Sequence, residues 1–218
     1  MTPGRRRRSL AHVDAPPPSA RQENALSETP PPAAAADVAV RTLDAAGAHA
    51  LADALADVLA DCVAGGASVS FMAPLAPETA RAFWRDVARG VAAGDRLLLV
   101  AEDGPGGPVL GTVQVVFARP ENQPHRADVA KMLVRRSARR RGVGARLMRA
   151  AEAAAAAAGR TLLVLDTVTG SDAERLYARL GWTRVGVVPG FALWPDGRPC
   201  DATFFFKRVG ADAAPGAA

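Results

Sequence analysis

The chain has 218 residues, 49% of them hydrophobic and 22% charged, with a mean hydropathy of +0.04; this suits one packed domain with tails rather than a disordered chain. No run of about 18 apolar residues exists, the alanine stretch Ala153–Ala158 coming nearest, which excludes a spanning helix and predicts a soluble protein with no membrane partner. Cys62 and Cys200 stand far apart without C-x-x-C spacing, which removes a disulfide framework and a cysteine zinc site and points to a cytoplasmic protein.

The formal charge is +5 from 27 basic and 22 acidic residues, and Lys131 and Lys207 are the only lysines. Seven arginines fall between Arg135 and Arg149, a local density that predicts an anionic partner: nucleic acid, headgroups or the phosphates of a cofactor.

Residues 1–36 combine Arg5–Arg8 with two Pro-Pro-Pro runs and read as a disordered tail; they lack the apolar core of a secretory signal. The domain is expected over 37–209, with 210–218 a second tail. Val38–Leu43 alternates as a strand, and Ala45–Ala64 places Leu51, Leu55, Val58, Leu59 and Cys62 at helical spacing. After Gly65-Gly66, Pro77 opens a helix ending near Gly94. Leu97–Ala101 and Val109–Phe117, separated by a Gly/Pro-rich turn, predict an antiparallel hairpin. A strand around Asp128–Val134 follows, then Arg139-Arg-Arg-Gly-Val-Gly-Ala and an alanine-rich helix through Gly159. The apolar run Leu162–Leu165 predicts a central strand covered on both faces. Ser171 and Glu174 form a capping box, so a helix is expected from Asp172 to the left-handed stop at Gly181. Trp182–Val188 and Thr203–Val209 close the chain as two strands joined by a long loop containing Trp194. The order predicts an α/β protein with a mixed, mostly antiparallel sheet and flanking helices.

Several chemistries lack their signatures: there is no P-loop, no dinucleotide fingerprint and no H-E-x-x-H, and with only three histidines no metal is expected. The informative segment is Arg139–Ala145. A strand, a glycine turn and a helix N-terminus make an anion seat, because unpaired backbone N–H groups and the positive end of the helix dipole converge there. Gly142 and Gly144 allow phosphate oxygens to approach the main chain, and Arg139, Arg140 and Arg141 add charge-assisted hydrogen bonds. The plainer alternative is a tight turn beside a solvated basic face.

The stretch VAKMLVRRSARRRGVGARLM resembles the acetyl-CoA-binding signature of the GNAT superfamily of N-acetyltransferases, and LLVLDTVTGSDAERLYARLGW follows it in matching order. HRADVAKMLV, LLVLDT, GVVPGFAL and the PDG turn are similar to the tabtoxin-resistance type within it, which acetylates an amine of a small molecule. The resemblance implies the GNAT acyltransferase fold, acetyl-CoA as cofactor, and a small-molecule amine as partner without nucleic acid. It also implies contacts to the acetyl group and pantetheine from Met132, Leu133 and Val134, and a pyrophosphate seat from Arg139, Arg140, Arg141, Gly142, Val143, Gly144 and Ala145. Tyr177, the one tyrosine, falls where the family places the general acid for the departing sulfur. Asp166, closing the apolar run, is expected as base or substrate anchor, with a turn-capping role as its plain alternative; His125 and Asp128 are weaker candidates. Phe71 and Trp194, in loops facing the expected acceptor entrance, are expected against the substrate. Two other readings stay open: a CoA-binding regulatory module without turnover, and a nucleic-acid binder using the arginine cluster, which contains no aromatic residue for stacking. A homodimer is also left open.

Overall fold

A computed structural model describes residues 38–210. Of the expected tails, 1–36 lies outside the described residues, as does 210–218 apart from Gly210. The elements are β1 Val38–Leu43, α1 Ala45–Ala50, α2 Ala52–Ala64, α3 Pro77–Ala92, β2 Arg96–Asp103, β3 Val109–Phe117, β4 Arg126–Val134, α4 Val143–Ala157, β5 Leu162–Val168, α5 Asp172–Arg179, β6 Thr183–Leu193 and β7 Pro199–Arg208. Among the described residues they build one seven-stranded sheet of order β1-β2-β3-β4-β5-β7-β6. Every neighbouring pair is antiparallel except β4 with β5. The mixed, mostly antiparallel α/β architecture read from the sequence is the one observed. Among the described residues no helix is long and apolar enough to cross a membrane.

The helices cover the sheet unequally. On one face α1, α2 and α3 pack Leu55, Val58, Leu59, Trp84 and Val87 against Leu43, Leu98, Val100, Val109 and Leu133 of β1 to β4. On the other, α4 and α5 bring Val143, Leu147, Met148, Ala151 and Tyr177 onto Leu99, Val113, Val115, Val129, Leu163, Leu165 and Phe205. Each fully buried large apolar side chain contributes about 1.5–3 kcal/mol through removal of its surface from water. Because α1 to α3 stop short of β5, that strand is interior to the sheet but not covered on both faces. Leu163 and Leu165 are buried, whereas Leu162 and Val164 are half-buried. This uneven roof leaves room for a cleft.

Local chemistry fixes most element ends. Asp44 caps α1 by accepting from the Gly47 N–H at 2.7 Å, and Pro77 occupies the first turn of α3, where its missing donor costs nothing. The β2–β3 turn is held by Glu102, only 2% exposed. Its carboxylate accepts from Arg41 Nη2 at 2.8 Å and from the Gly106 N–H at 3.1 Å. The Arg41 guanidinium holds the Glu102 carboxyl below the usual carboxylate range.

Three expectations need correction. The helix expected over 45–64 is interrupted at Leu51, whose φ of −94° and ψ of 8° leave the helical region between α1 and α2. Ser171 does cap α5, its Oγ accepting from the Glu174 N–H at 3.1 Å. Glu174, however, reaches past the cap to the Gly170 N–H and also accepts from Thr203 Oγ1 at 2.9 Å, so it ties α5 to β7. The last two strands run longer than expected, and their long loop shrinks to the short turn 194–198, closed by the Trp194 N–H on the Arg198 carbonyl at 2.8 Å.

Candidate active site

The parallel pair β4–β5 is joined only at Arg126↔Leu162, Ala127↔Leu163 and Asp128↔Val164. Beyond that point β4 continues to Val134 and β5 to Val168 without pairing to each other. The cause lies on the far side of β4. There Thr112 faces Leu133 and Gln114 faces Ala130, so Lys131 and Met132 together oppose Val113. This β-bulge puts Lys131 at φ 50°, and bulges bend and twist the strand that carries them. The two strands splay, and a cleft of about 1270 Å³ opens between them. Met132, Leu133 and Val134 line it from β4, and Asp166, Thr167 and Val168 from β5.

At one end of the cleft α4 begins. Gly142, at φ 78°, turns the chain into the helix, and its missing Cβ is needed for the left-handed backbone. The first turn of α4 carries the N–H groups of Val143, Gly144 and Ala145, which as first-turn donors lack intrahelical acceptors. Gly144 serves packing as well as approach: a Cβ there would lie 3.1 Å from Leu176 Cδ2 and 3.6 Å from Met132 Sδ, closing the floor between β4 and α5.

The arginine cluster divides in two. Arg136 pairs with Asp61 at 2.9 Å and Arg141 with Asp103 at 2.6 Å. Arg135 Nε donates to the Val109 carbonyl at 2.9 Å and Arg146 Nη1 to that of Val38 at 3.1 Å. These four hold the fold together. Arg139, Arg140 and Arg149 line the cleft instead. The side chain of Arg141 is thus directed to Asp103 at the β2–β3 turn, away from the start of α4.

Deeper in, Tyr177 on α5 is buried between Trp182 and Phe205, with ring centroids 6.0 and 6.1 Å away, and lines the cleft. Among the described residues its hydroxyl has no protein hydrogen-bond partner, so the donor is free for a ligand. Burial, then the Asp166 charge, push the phenol above its ordinary value, which keeps it protonated. Asp166 on β5 and Lys131 on β4 line the same cleft. The Asp166 side chain is exposed, yet the cleft wall beside it strips part of its hydration and raises its carboxyl above the ordinary range; the Lys131 ammonium counteracts, and Asp128 adds to the rise.

Phe71, stacked edge-on against Phe83 at 5.2 Å, and Trp194 both line the cleft. His125 does not: it is exposed at the opposite end of β4, where its carbonyl accepts from the Thr161 N–H at 2.8 Å. Asp128 is engaged by Arg126 at 2.6 Å. Phe191, Ser70, Cys62 and Lys131 line the cleft without having been singled out as site residues. For Lys131 a signal existed, since a lysine inside the apolar run VAKMLV of an arginine-dominated chain is anomalous. Nothing in local sequence marks Ser70 or Cys62.

Residues 94–184 match the family model of the acetyltransferase (GNAT) domain. A Salmonella typhimurium protein described as an acetyltransferase and solved with its cofactor acetyl-CoA superposes with a TM-score of 0.66 at 20% identity, covering 84% of this chain and 99% of that one. This is the GNAT acetyltransferase fold. A GCN5-related N-acetyltransferase from Kribbella flavida is similar at TM-score 0.64 and 24% identity, over 79% of this chain and 98% of its own. A GNAT phosphinothricin acetyltransferase from Sinorhizobium meliloti, solved with acetyl-CoA, gives 0.64 and 17%, over 83% and 93%. The GNAT match spans β2 to α5, and so takes in the splayed strands, the arginine turn and Tyr177. It leaves Phe71 and Trp194 outside.

Proposed function

We propose that the protein transfers an acetyl group from acetyl-CoA to the amine of a small molecule, with Tyr177 as general acid. The observation that carries this reading is the splayed β4–β5 gap, which joins an anion seat at the start of α4 to a buried phenol. The cleft fits the donor: about 1270 Å³ exceeds the ~300–1,000 Å³ of ordinary ligand pockets. Backbone donors and the cleft-lining Arg139, Arg140 and Arg149 suit a pyrophosphate, and the open edge at Met132–Val134 suits an amide-bearing arm. Bound there, acetyl-CoA supplies an activated acetyl thioester.

The remaining work falls to the chain. The edge of β4 orients, and the Val134 carbonyl is already engaged by the Cys62 thiol at 3.5 Å, which leaves Met132 and Leu133 as the freer contacts. The Tyr177 hydroxyl donates toward the departing sulfur, and Asp166 accepts the amine proton or holds the ammonium. With the phenol pushed up, a hydrogen bond that strengthens as charge builds on sulfur is favoured over early full transfer. Similarity to the tabtoxin-resistance type supports a small amine as acceptor, and the internal use of four of the seven clustered arginines weighs against a polynucleotide. Buried, unpaired Cys62 and Cys200 suit a reducing cytoplasm.

Thermal melting tests the donor. Acetyl-CoA at 100 times its Kd is expected to add about 2.7 kcal/mol, raising Tm by roughly 5–11 °C for a chain of this size; an unchanged Tm excludes the reading. The pH profile tests Asp166. A group that must be ionised loses function as pH falls through its pKa, and the Asp166 pKa is raised, so kcat/KM should fall at a higher pH than an ordinary aspartate would give. Asp166→Asn is expected to lower kcat/KM by about tenfold to a hundredfold and to remove that acid limb, leaving the ionisation of the acceptor amine.

A further inference from the structure

Acetyl transfer needs an amine, a group to take its proton and a donor for the departing sulfur. Asp166 and Tyr177 are the candidates for the last two, and β4 brings an amine from within the chain itself. Lys131 lines the cleft from the β4 bulge, one residue before Met132 on the open edge. Its Nζ lies 3.1 Å from Ser70 Oγ and 5.7 Å from the Phe83 ring centroid. Both Lys131 (φ 50°) and Ser70 (φ 72°) hold left-handed backbones, a strain that collects where geometry is imposed.

The other lysine offers an internal contrast. Lys207 donates to Glu152 and to the Leu180 carbonyl, each at 2.7 Å, so deprotonating it would break an ion pair. Among the described residues Lys131 forms no ion pair, and it is half-buried. Desolvation favours its neutral, nucleophilic form, against the opposing pull of the Asp166 charge. The same charge acts on the Tyr177 phenol. One exposed carboxylate therefore stands within electrostatic reach of both the amine and the proton donor, and all three line one cleft.

We propose that Lys131 is a self-acetylation site: with acetyl-CoA seated and no outside acceptor in the cleft, the protein transfers the acetyl group to its own Lys131 Nζ. This rests on the acetyl-transfer reading and adds to it an acceptor built into the chain. The deprotonated Nζ attacks the acetyl carbonyl carbon, and its new C–N bond replaces the C–S bond. Tyr177 gives a proton to the sulfur, the proton from nitrogen passes to Asp166, and exchange through solvent returns a proton to the phenol. The products are an amide on Lys131 and free CoA thiol.

The test incubates the full chain with acetyl-CoA alone and maps its tryptic peptides by mass spectrometry. Acetylated lysine resists trypsin, so the expected product is the peptide Ala127–Arg135, uncut at Lys131 and heavier by one acetyl group. Lys131 should be modified at least about tenfold faster than Lys207, at a rate independent of protein concentration, as a step within one chain requires. Tyr177→Phe should slow the modification by about a hundredfold, and Lys131→Arg should abolish it. An unmodified Lys131, equal labelling of both lysines, a rate that rises with protein concentration, or one that Tyr177→Phe leaves unchanged overturns the proposal. The wild-type map decides this even where a variant fails to fold. Melting with acetyl-CoA separates the two readings: a raised Tm with Lys131 unmodified removes self-acetylation alone, whereas an unmodified Lys131 with no Tm shift removes acetyl transfer as well.

Discussion

Tyr177→Phe is expected to lower kcat by about a hundredfold or more while leaving the acetyl-CoA-induced rise in Tm nearly unchanged, the span being that of a positioned general acid. The reasoning begins with packing. The ring sits between Trp182 and Phe205, and phenylalanine keeps both contacts. Because the hydroxyl has no protein partner among the described residues, its removal orphans no other group and folding should be little affected. What is lost is the donor that faces the cleft. Stopped-flow thiol release, beside melting curves with and without acetyl-CoA, separates the outcomes. A variant with normal kcat makes Tyr177 a packing residue, and one that no longer responds to acetyl-CoA makes it a binding residue.

Gly111→Ala is expected to destabilise the protein by about 3 kcal/mol, the upper end for an overpacked site, with a fall in Tm of roughly 6–12 °C. A Cβ at Gly111 would stand 2.5 Å from the Leu133 carbonyl oxygen and 3.4 Å from Val134 Cα. These are backbone atoms, so no rotamer change relieves the clash and β4 itself must shift. Since Leu133 and Val134 form the cleft edge, the variant should also bind acetyl-CoA more weakly than its stability loss alone would suggest. Chemical denaturation of the variant, with acetyl-CoA titrated by calorimetry, checks both effects. A loss below about 1 kcal/mol would show that β3 and β4 are not held as closely as the structure has them.

Much of this architecture is legible locally. The apolar, β-rich run Val109–Phe117, the glycine-rich turn before it, Pro77 at a helix start and Ser171 before an acidic first turn each encode their element within a few residues, because dihedral preferences, capping and hydrophobic patterning act at short range. Gly142 is similarly readable, since a left-handed residue between a strand and a helix demands glycine. The turn into α4 could be placed for that reason, whereas the role expected of Tyr177 came from the resemblance to the GNAT superfamily. The fate of the arginines could not. Arg136 and Asp61, or Arg141 and Asp103, are far apart along the chain and meet only after the sheet has formed. The same holds for Lys131: it is an odd residue in an apolar run, but its placement depends on a bulge set by the register between β3 and β4 and on Ser70 from the α2–α3 loop.

The sequence by itself determined most of the elements, that they assemble as a mixed sheet, and where a glycine turn leads into a helix start, because propensity, capping and hydrophobic period are short-range properties. Only the tertiary structure decided that β4 and β5 part after Asp128, that four arginines serve the fold while three face the cleft, and that Lys131 and Asp166 line the same cleft. Those outcomes arise from strand register and long-range charge pairing, which exist only once distant segments have been brought together.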